Sequence, residues 1–220
     1  MAPDQAGRSA TAQFRRARRA ARRWTVVSGV CGVMAVIGLI LAGWRGVPRI
    51  GWVGLTALAG GIALVGWALR PDPDPDRWRR GAEGEVATAM LLARLPRRRY
   101  IVLHDRRIPG SRANIDHLVI GPTGVWVIDT KVRRQNYPIE VRPVMFEADR
   151  VETLLDVDVC AIVAVHGSDL RRRGKVVDGV RIIPAERVRR RLRRGRKVLR
   201  RDEIVGLAAR AERIFSPAEG

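Results

Sequence analysis

Residues 114–131 read NIDHLVIGPTGVWVIDTK, two apolar runs on either side of Gly-Pro-Thr-Gly. Runs rich in β-branched and aromatic residues that flank so short a turn predict a β-hairpin. If Ile120 faces Val125 across the turn, the same register places Asp116 opposite Asp129. Two like charges that face each other destabilise a sheet unless another group neutralises them. The hairpin therefore predicts a charged site at the end away from its turn.

Lys131 belongs to the same predicted site. It shares a face of the strand with Asp129, because side chains alternate between the two faces of a sheet. Mg²⁺ is a hard ion that prefers oxygen ligands and is commonly held by one or two carboxylates and a substrate phosphate. Such an ion lowers the pKa of an attacking water, while a lysine orients or stabilises the nucleophile. We therefore predict metal-dependent phosphodiester chemistry at Asp116, Asp129 and Lys131; the alternative is a set of surface ion pairs of little energy.

An amphipathic helix is predicted ahead of the hairpin, over residues 81–95, GAEGEVATAMLLARL. Apolar residues recur there at helical spacing, and Pro96 ends the pattern. The row Glu85, Ala89 and Leu92 places one carboxylate at the end of an apolar face. Glu85 is therefore added to the predicted catalytic and metal-binding residues.

The order of elements predicts a mixed α/β domain in which helices flank a central sheet. Strand-like runs cover residues 100–104, 114–120 and 125–130, followed by a helix over 145–155, strand-like runs over 157–166 and 176–184, and a closing helix over 202–215.

The GAEGE segment and the NIDHLVIGPTGVWVIDTK hairpin together resemble the nuclease-related domain (NERD), a branch of the restriction-endonuclease-like PD-(D/E)xK superfamily. The resemblance implies a restriction-endonuclease-like mixed central sheet flanked by helices. In active members it also implies cleavage of nucleic acid that depends on Mg²⁺ or Mn²⁺. It assigns the helix acid to Glu85, the first strand acid to Asp116, and the D-x-K pair to Asp129 and Lys131.

The chain departs from the family pattern after Lys131. Family members often continue with an aromatic and glycine segment and carry a glutamine in the next helix. Here VRRQNYPIEV follows, and residues 145–155 contain no glutamine. Two functions therefore stay open: an active nuclease, and a catalytically inactive nuclease-fold module that binds nucleic acid or a partner at the membrane.

Two uncharged apolar segments, residues 25–44 and 50–69, precede the α/β domain. Each is long enough to cross roughly 30 Å of hydrocarbon as a helix, so the two predict a transmembrane hairpin within the lipid bilayer. Seven arginines lie before Trp24 and two in the connecting loop, a bias that keeps the N-terminus in the cytoplasm. The predicted order at the cell (inner) membrane is a basic cytoplasmic tail (residues 1–23), the hairpin (24–69), a Pro/Asp spacer (70–80) and a cytoplasmic NERD-like α/β domain (81–216).

The net charge of +20 indicates a polyanionic partner. Fifteen of the 31 residues from 171 to 201 are basic, and aromatic residues are absent from this run. A solvated basic face, contact with anionic lipid and binding of nucleic-acid phosphates all remain open for these Arg-rich segments. The lack of aromatic side chains on which single strands could stack favours a duplex or nonspecific contact with the phosphate backbone. We predict nucleic acid, DNA rather than RNA, as the main partner.

Overall fold

The computed structural model describes residues 76–132, 139–167 and 174–218, with scattered positions between 11 and 60. The chain divides into two units, one of residues 13–76 and one made mainly of residues 77–220. All described residues of the first unit are helical. Among the described positions, no helix combines the length and the apolar character needed to span a bilayer. The predicted spans, 25–44 and 50–69, lie almost entirely outside the described residues, so the transmembrane hairpin stays a prediction.

The second unit contains a six-stranded mixed sheet flanked by helices, which confirms the predicted α/β architecture. Its elements in chain order are α1 (Asp76–Ala93), β1 (Ile101–Arg107), β2 (Asn114–Gly121), β3 (Gly124–Val132), α2 (Arg142–Leu155), β4 (Val159–His166), β5 (Lys175–Val177), β6 (Val180–Pro184), α3 (Ala185–Arg193) and α4 (Arg201–Ile214).

The sheet has the strand order β1-β2-β3-β4-β6-β5. Strands β1, β2 and β3 are antiparallel neighbours, β4 is parallel to both β3 and β6, and β5 pairs antiparallel with β6 at the edge. The two parallel pairs lie in the centre, where both faces of the sheet are covered, as parallel strands require. The β2–β3 hairpin therefore sits inside the sheet with a neighbour on each side.

Each face of the sheet has its own apolar core. Leu118 and Val127 pack on one face with residues of α2 and α4. Val119 and Trp126 pack on the other with residues of α1 and α3. The alternation of side chains along β2 and β3 thus assigns each hairpin residue to one helical layer or the other.

Helix α1 begins at Asp76, inside the segment predicted as a spacer. The spacer prediction is wrong for residues 76–80, while residues 70–75 lie outside the described residues. Pro75 precedes the helix, and a proline at a helix start leaves the intrahelical hydrogen bonds intact.

The prediction of one strand over residues 176–184 is also wrong. Asp178 and Gly179, with φ of 48° and 79°, form a two-residue turn that folds the segment into the β5–β6 hairpin. Asp-Gly is a favoured sequence for turns in which both central residues have positive φ. The short helix α3 was not predicted either, although Ala185, Val188 and Leu192 form its buried face.

Candidate functional site

The β2–β3 hairpin has the predicted register. Backbone pairs run from the turn to His117 and Ile128, and one step further the facing residues are Asp116 and Asp129. At that step Oδ2 of Asp116 accepts the backbone N–H of Thr130 at 2.8 Å. This bond holds the Asp116 carboxyl of β2 toward β3, the strand that carries Asp129, just beyond the last backbone pair of the hairpin.

Asp129 and Lys131 form an ion pair whose acidic partner is buried. The Lys131 Nζ lies 2.8 Å from Oδ1 of Asp129, and the side chains are 43% and 5% exposed, respectively. Oδ2 of Asp129 is buried and has no hydrogen-bond partner among the described residues. Burial raises the pKa of Asp129 above its ordinary value, although the Lys131 ammonium and an interaction with the Asp116 side chain act to lower it. This pair differs from the surface ion pair considered as the alternative, because the Asp129 side chain is only 5% exposed.

Lys131 is held in its charged form. Burial acts to lower its pKa, but the negative charges of Asp129, Asp116 and Glu147 outweigh burial, and the pKa is raised. A lysine with a raised pKa donates hydrogen bonds at neutral pH and does not accept a proton. The geometry therefore suits the stabilisation of negative charge.

Glu147 of α2 is a carboxylate in this cluster that the sequence analysis missed. It is only 7% exposed, and its Oε2 is buried without a hydrogen-bond partner among the described residues. Burial and then the charge of Asp129 raise its pKa well above the ordinary value, against the effect of Lys131. One signal could have found it: Glu147 lies between Val144 and Val151 on the buried face of an amphipathic helix.

The pKa of Asp116 is raised by burial and by the negative charges of the other acids in the cluster. Burial raises its pKa well above the ordinary value, and the negative charges of Glu85, Asp129 and Glu147 raise it further. The hydrogen bond from Thr130 opposes these effects without reversing them. The four acids therefore lie near enough to influence one another, and they are fully ionised together only when a positive charge compensates them.

Glu85 is positioned by the close approach of α1 to β3. A Cβ atom on Gly84 would lie 2.6 Å from Cγ2 of Val132, so glycine allows the two elements to touch. Thr130 Oγ1 donates a hydrogen bond to Thr88 Oγ1 at 3.2 Å on the next turn of the helix. The predicted apolar face of α1 is confirmed, since Ala89 and Leu92 are buried. These contacts hold half-buried Glu85 beside the last residues of β3.

The donor set of this cluster fits a hard divalent cation. Carboxyl oxygens are the ligands such ions prefer, and the unpartnered oxygens of Asp129 and Glu147 are the kind of buried polar atom that a bound ion explains. Over the described ranges, no three His, Cys, Asp or Glu side chains are already arranged to hold a metal ion. The donors are therefore near one another, but they are not in ligand geometry.

The three histidines lie apart from this chemistry. Nδ1 of His117 is 2.8 Å from Nδ1 of His104, so one ring donates to the other, and His117 hydrogen-bonds within the sheet as predicted. Burial lowers the pKa of His104 to about 4 and that of His117 well below its ordinary value. His166 Nε2 lies 2.8 Å from Thr88 Oγ1. His104 and His117 therefore bond to each other within the sheet, and His166 links the sheet to α1.

Comparison with known families gives one match. The model of the nuclease-related domain (NERD) matches residues 80–143, which include Glu85 and the whole β2–β3 hairpin and end before Glu147. Neither the curated proteins nor the solved structures contain a match. The matched segment is thus similar to a nuclease-related domain, and the mixed sheet around it fits a nuclease-like fold. This similarity indicates a nuclease-related function with nucleic acid as the class of partner; domains of this kind generally depend on a divalent metal.

Proposed function

We propose that this chain is a membrane-anchored, cytoplasm-facing nuclease-like protein that hydrolyses phosphodiester bonds of nucleic acid with Mg²⁺ or Mn²⁺. The observation that carries the proposal is the pair of buried, unpartnered carboxylate oxygens on Asp129 and Glu147 beside a protonated Lys131. Asp129 and Lys131 lie within the segment similar to a nuclease-related domain. A buried anionic cluster with one fixed cation is suited to a metal ion and a phosphate.

The side chains have separate roles in this proposal. Asp116, Asp129 and Glu147 would hold the ion, with Glu85 reaching in from α1. When bound, the ion would supply a Lewis acid for the phosphate and a lowered pKa for the attacking water. Lys131 donates a hydrogen bond to a phosphate oxygen on which negative charge builds. The N–H of Thr130 keeps the Asp116 carboxyl in its orientation.

Metal binding and protonation compete in this cluster. The pKa values of Asp116, Asp129 and Glu147 are all raised, so these carboxyls hold protons to a higher pH than exposed acids do. A carboxyl must lose its proton to bind a cation. The proposal therefore expects metal affinity to increase with pH as these groups ionise.

A non-catalytic nucleic-acid-binding module is the second candidate. It is favoured by the lack of a three-ligand arrangement among the described residues and by the departure from the family pattern after Lys131. Such a module would bind a duplex in a salt-dependent manner and leave it intact when metal is added.

The test of the proposed activity is cleavage of supercoiled plasmid by the full chain in a nonionic detergent, with Mg²⁺, Mn²⁺ or EDTA. Asp116→Asn and Lys131→Ala are compared with Asp158→Asn and Lys175→Ala, which change exposed residues of the same types. We expect metal-dependent cleavage that both site variants lose and both control variants keep. An inactive wild type, or undiminished cleavage by the two site variants, would reject the enzyme.

The membrane anchor is tested separately. Residues 25–44 and 50–69 contain no charged residue, and this supports two spans with both ends of the chain in the cytoplasm. We expect the protein to stay in the membrane pellet at alkaline pH and the α/β domain to be cleaved by protease only in inverted vesicles. Release of the protein into the supernatant would show that it is not anchored in the membrane. Cleavage of the α/β domain in right-side-out vesicles would show that the domain faces away from the cytoplasm.

A further inference from the structure

A second charged surface lies at the other end of the hairpin. It is formed by three exposed cations in the turn between α1 and β1 and by four exposed cations at the C-terminal end of α3 and just after it. We name this surface the turn-end patch, and it consists of Arg97, Arg98, Arg99, Arg193, Arg194, Arg196 and Lys197.

Three hydrogen bonds bring the two parts of the turn-end patch together around the β2–β3 turn. The hydroxyl of Tyr100 donates to the carbonyl of Leu192 at 3.3 Å, and the hydroxyl of Thr123 donates to the same carbonyl at 2.6 Å. The Val198 N–H donates to the carbonyl of Pro122 at 2.7 Å. Chain segments about a hundred residues apart in sequence therefore present their cations on one surface.

The turn-end patch has no anionic partner among the described residues. Residues 94–99 and 187–201 contain no aspartate or glutamate. None of the ion pairs in the described part of the chain includes a patch residue. Clustered like charges repel one another, and a polyanion relieves that repulsion.

This patch is separate from the carboxylate cluster. Asp116 and Asp129 are each five residues from the glycines that flank the turn. At about 3.4 Å per residue the hairpin spans roughly 17 Å between its two ends. A small ligand at one end therefore cannot contact the other, whereas a duplex with about 3.4 Å per base pair could reach both.

The chemistry of the turn-end patch suits phosphate backbone better than single strands or lipid. The nearby aromatic rings of Tyr100 and Trp126 are buried, and Arg191 covers Trp126 at 5.2 Å from its centroid. Among the described residues around the patch, no exposed ring is thus available on which bases could stack. Val198 is the large apolar side chain exposed beside the patch, and one valine is a weak anchor for a bilayer.

We propose that the turn-end patch is an exosite that binds the phosphate backbone of duplex nucleic acid, independently of sequence and of metal. It shares with the proposed function only its partner class, since binding here requires no cleavage. A duplex shorter than about five base pairs would not reach both the exosite and the carboxylate cluster.

The experiment measures binding of a fluorescein-labelled 30-base-pair duplex by anisotropy, with the full chain in nonionic detergent, EDTA and a KCl series. Arg98→Gln/Arg99→Gln and Arg193→Gln/Arg194→Gln each remove two patch cations. Each should weaken binding about tenfold and reduce the log–log salt slope by about 2. The control Lys175→Gln/Arg213→Gln removes two exposed cations outside the patch and should stay within about twofold of the wild type.

Equal losses in the control and the patch variants would overturn the exosite, because net charge alone would then explain binding. Binding to phosphatidylglycerol vesicles without binding to the duplex would also overturn it. Because EDTA is present throughout, the result does not depend on cleavage. If the patch variants lose duplex binding and the wild type does not cleave plasmid, the exosite is supported and the proposed nuclease activity is rejected.

Discussion

The two ends of the β2–β3 hairpin are built in opposite ways. The end with Asp116 and Asp129 has polar groups inside, whereas the turn end has apolar groups inside and cations outside. All buried polar or charged side chains of the described residues lie in or contact the first of these ends: Thr88, His104, Asp105, Arg106, His117, Asp129, Thr130 and Glu147.

The energetic cost of burying unpaired polar groups indicates which end of the hairpin carries the candidate site. A buried polar group destabilises the fold unless it is hydrogen-bonded, and the carboxylate end contains oxygen atoms without such partners. The turn end is mostly apolar inside and gains stability from close packing; its buried polar atoms without a hydrogen-bond partner are Nε1 of Trp126 and Nε of Arg191. Proteins break the rules of stable packing mainly where a site requires it. The two ends should therefore respond differently to substitution.

The largest expected effect on stability is at the turn end, from Gly121→Ala. A Cβ atom there would lie 2.3 Å from Cδ1 of Tyr100, a buried ring whose hydroxyl is bonded to the carbonyl of Leu192. We expect the free energy of unfolding in urea to fall by about 3 kcal/mol, because the ring cannot move away. Gly206→Ala is the control, since a Cβ atom there meets open space in α4 and should add up to ~1 kcal/mol. Equal stabilities of Gly121→Ala and the wild type would contradict close packing at this end.

The second-largest expected effect is a loss of stability at acid pH, caused by the His104–His117 pair at the carboxylate end. The pKa of His104 is lowered from 6.5 to about 4, so between these values the unfolded chain binds more protons than the folded one. Stability contributed by this group is present above pH 6.5 and is lost as pH falls, by roughly 2 kcal/mol between pH 7 and pH 5.

The raised carboxyl pKa values act in the opposite direction, so the histidine contribution is isolated by comparison with His104→Leu/His117→Leu. This variant should lose less stability on acidification than the wild type does. NMR titration of the His104 ring in the wild type provides a second measurement, with an expected midpoint near pH 4. A midpoint at 6 or above would show that the ring is not held neutral.

The smallest expected effect has the opposite sign and comes from Glu147→Gln. The pKa of Glu147 is raised, so the folded state binds the extra proton, and stability falls as pH rises through the folded pKa. Glu147→Gln should therefore raise the free energy of unfolding at pH 8 by about 1 kcal/mol and make it less dependent on pH.

The same substitution should reduce the stabilisation that added Mg²⁺ gives, because one anionic ligand is lost. Asp149→Asn, an exposed change in the same helix, should alter neither property. If Glu147→Gln is less stable than the wild type at pH 8 and gains as much from Mg²⁺, then Glu147 is an ordinary packed side chain and the cluster has one ligand fewer.

The sequence predicted the local parts of the candidate site well. Strand alternation and a short turn fix which residues face each other, so the register that brings Asp116 toward Asp129 could be counted without a structure. The apolar spacing of α1 likewise placed Glu85 at the end of a buried face. In each case the information lies within a few residues of the chain.

Only the tertiary structure could show Glu147 and the turn-end patch. Glu147 reaches the hairpin because α2 packs on the same face of the sheet as Asp129, a contact that depends on how the chain crosses from β3 to β4. The two halves of the patch meet because Tyr100 and Thr123 both bond to one carbonyl of α3. The sequence by itself therefore determined the charged hairpin and the α/β class, since periodicity and turns are local. Long-range packing decided which distant side chains lie at each end of the β2–β3 hairpin, because a side chain becomes buried or senses a neighbouring charge only when separate elements come into contact.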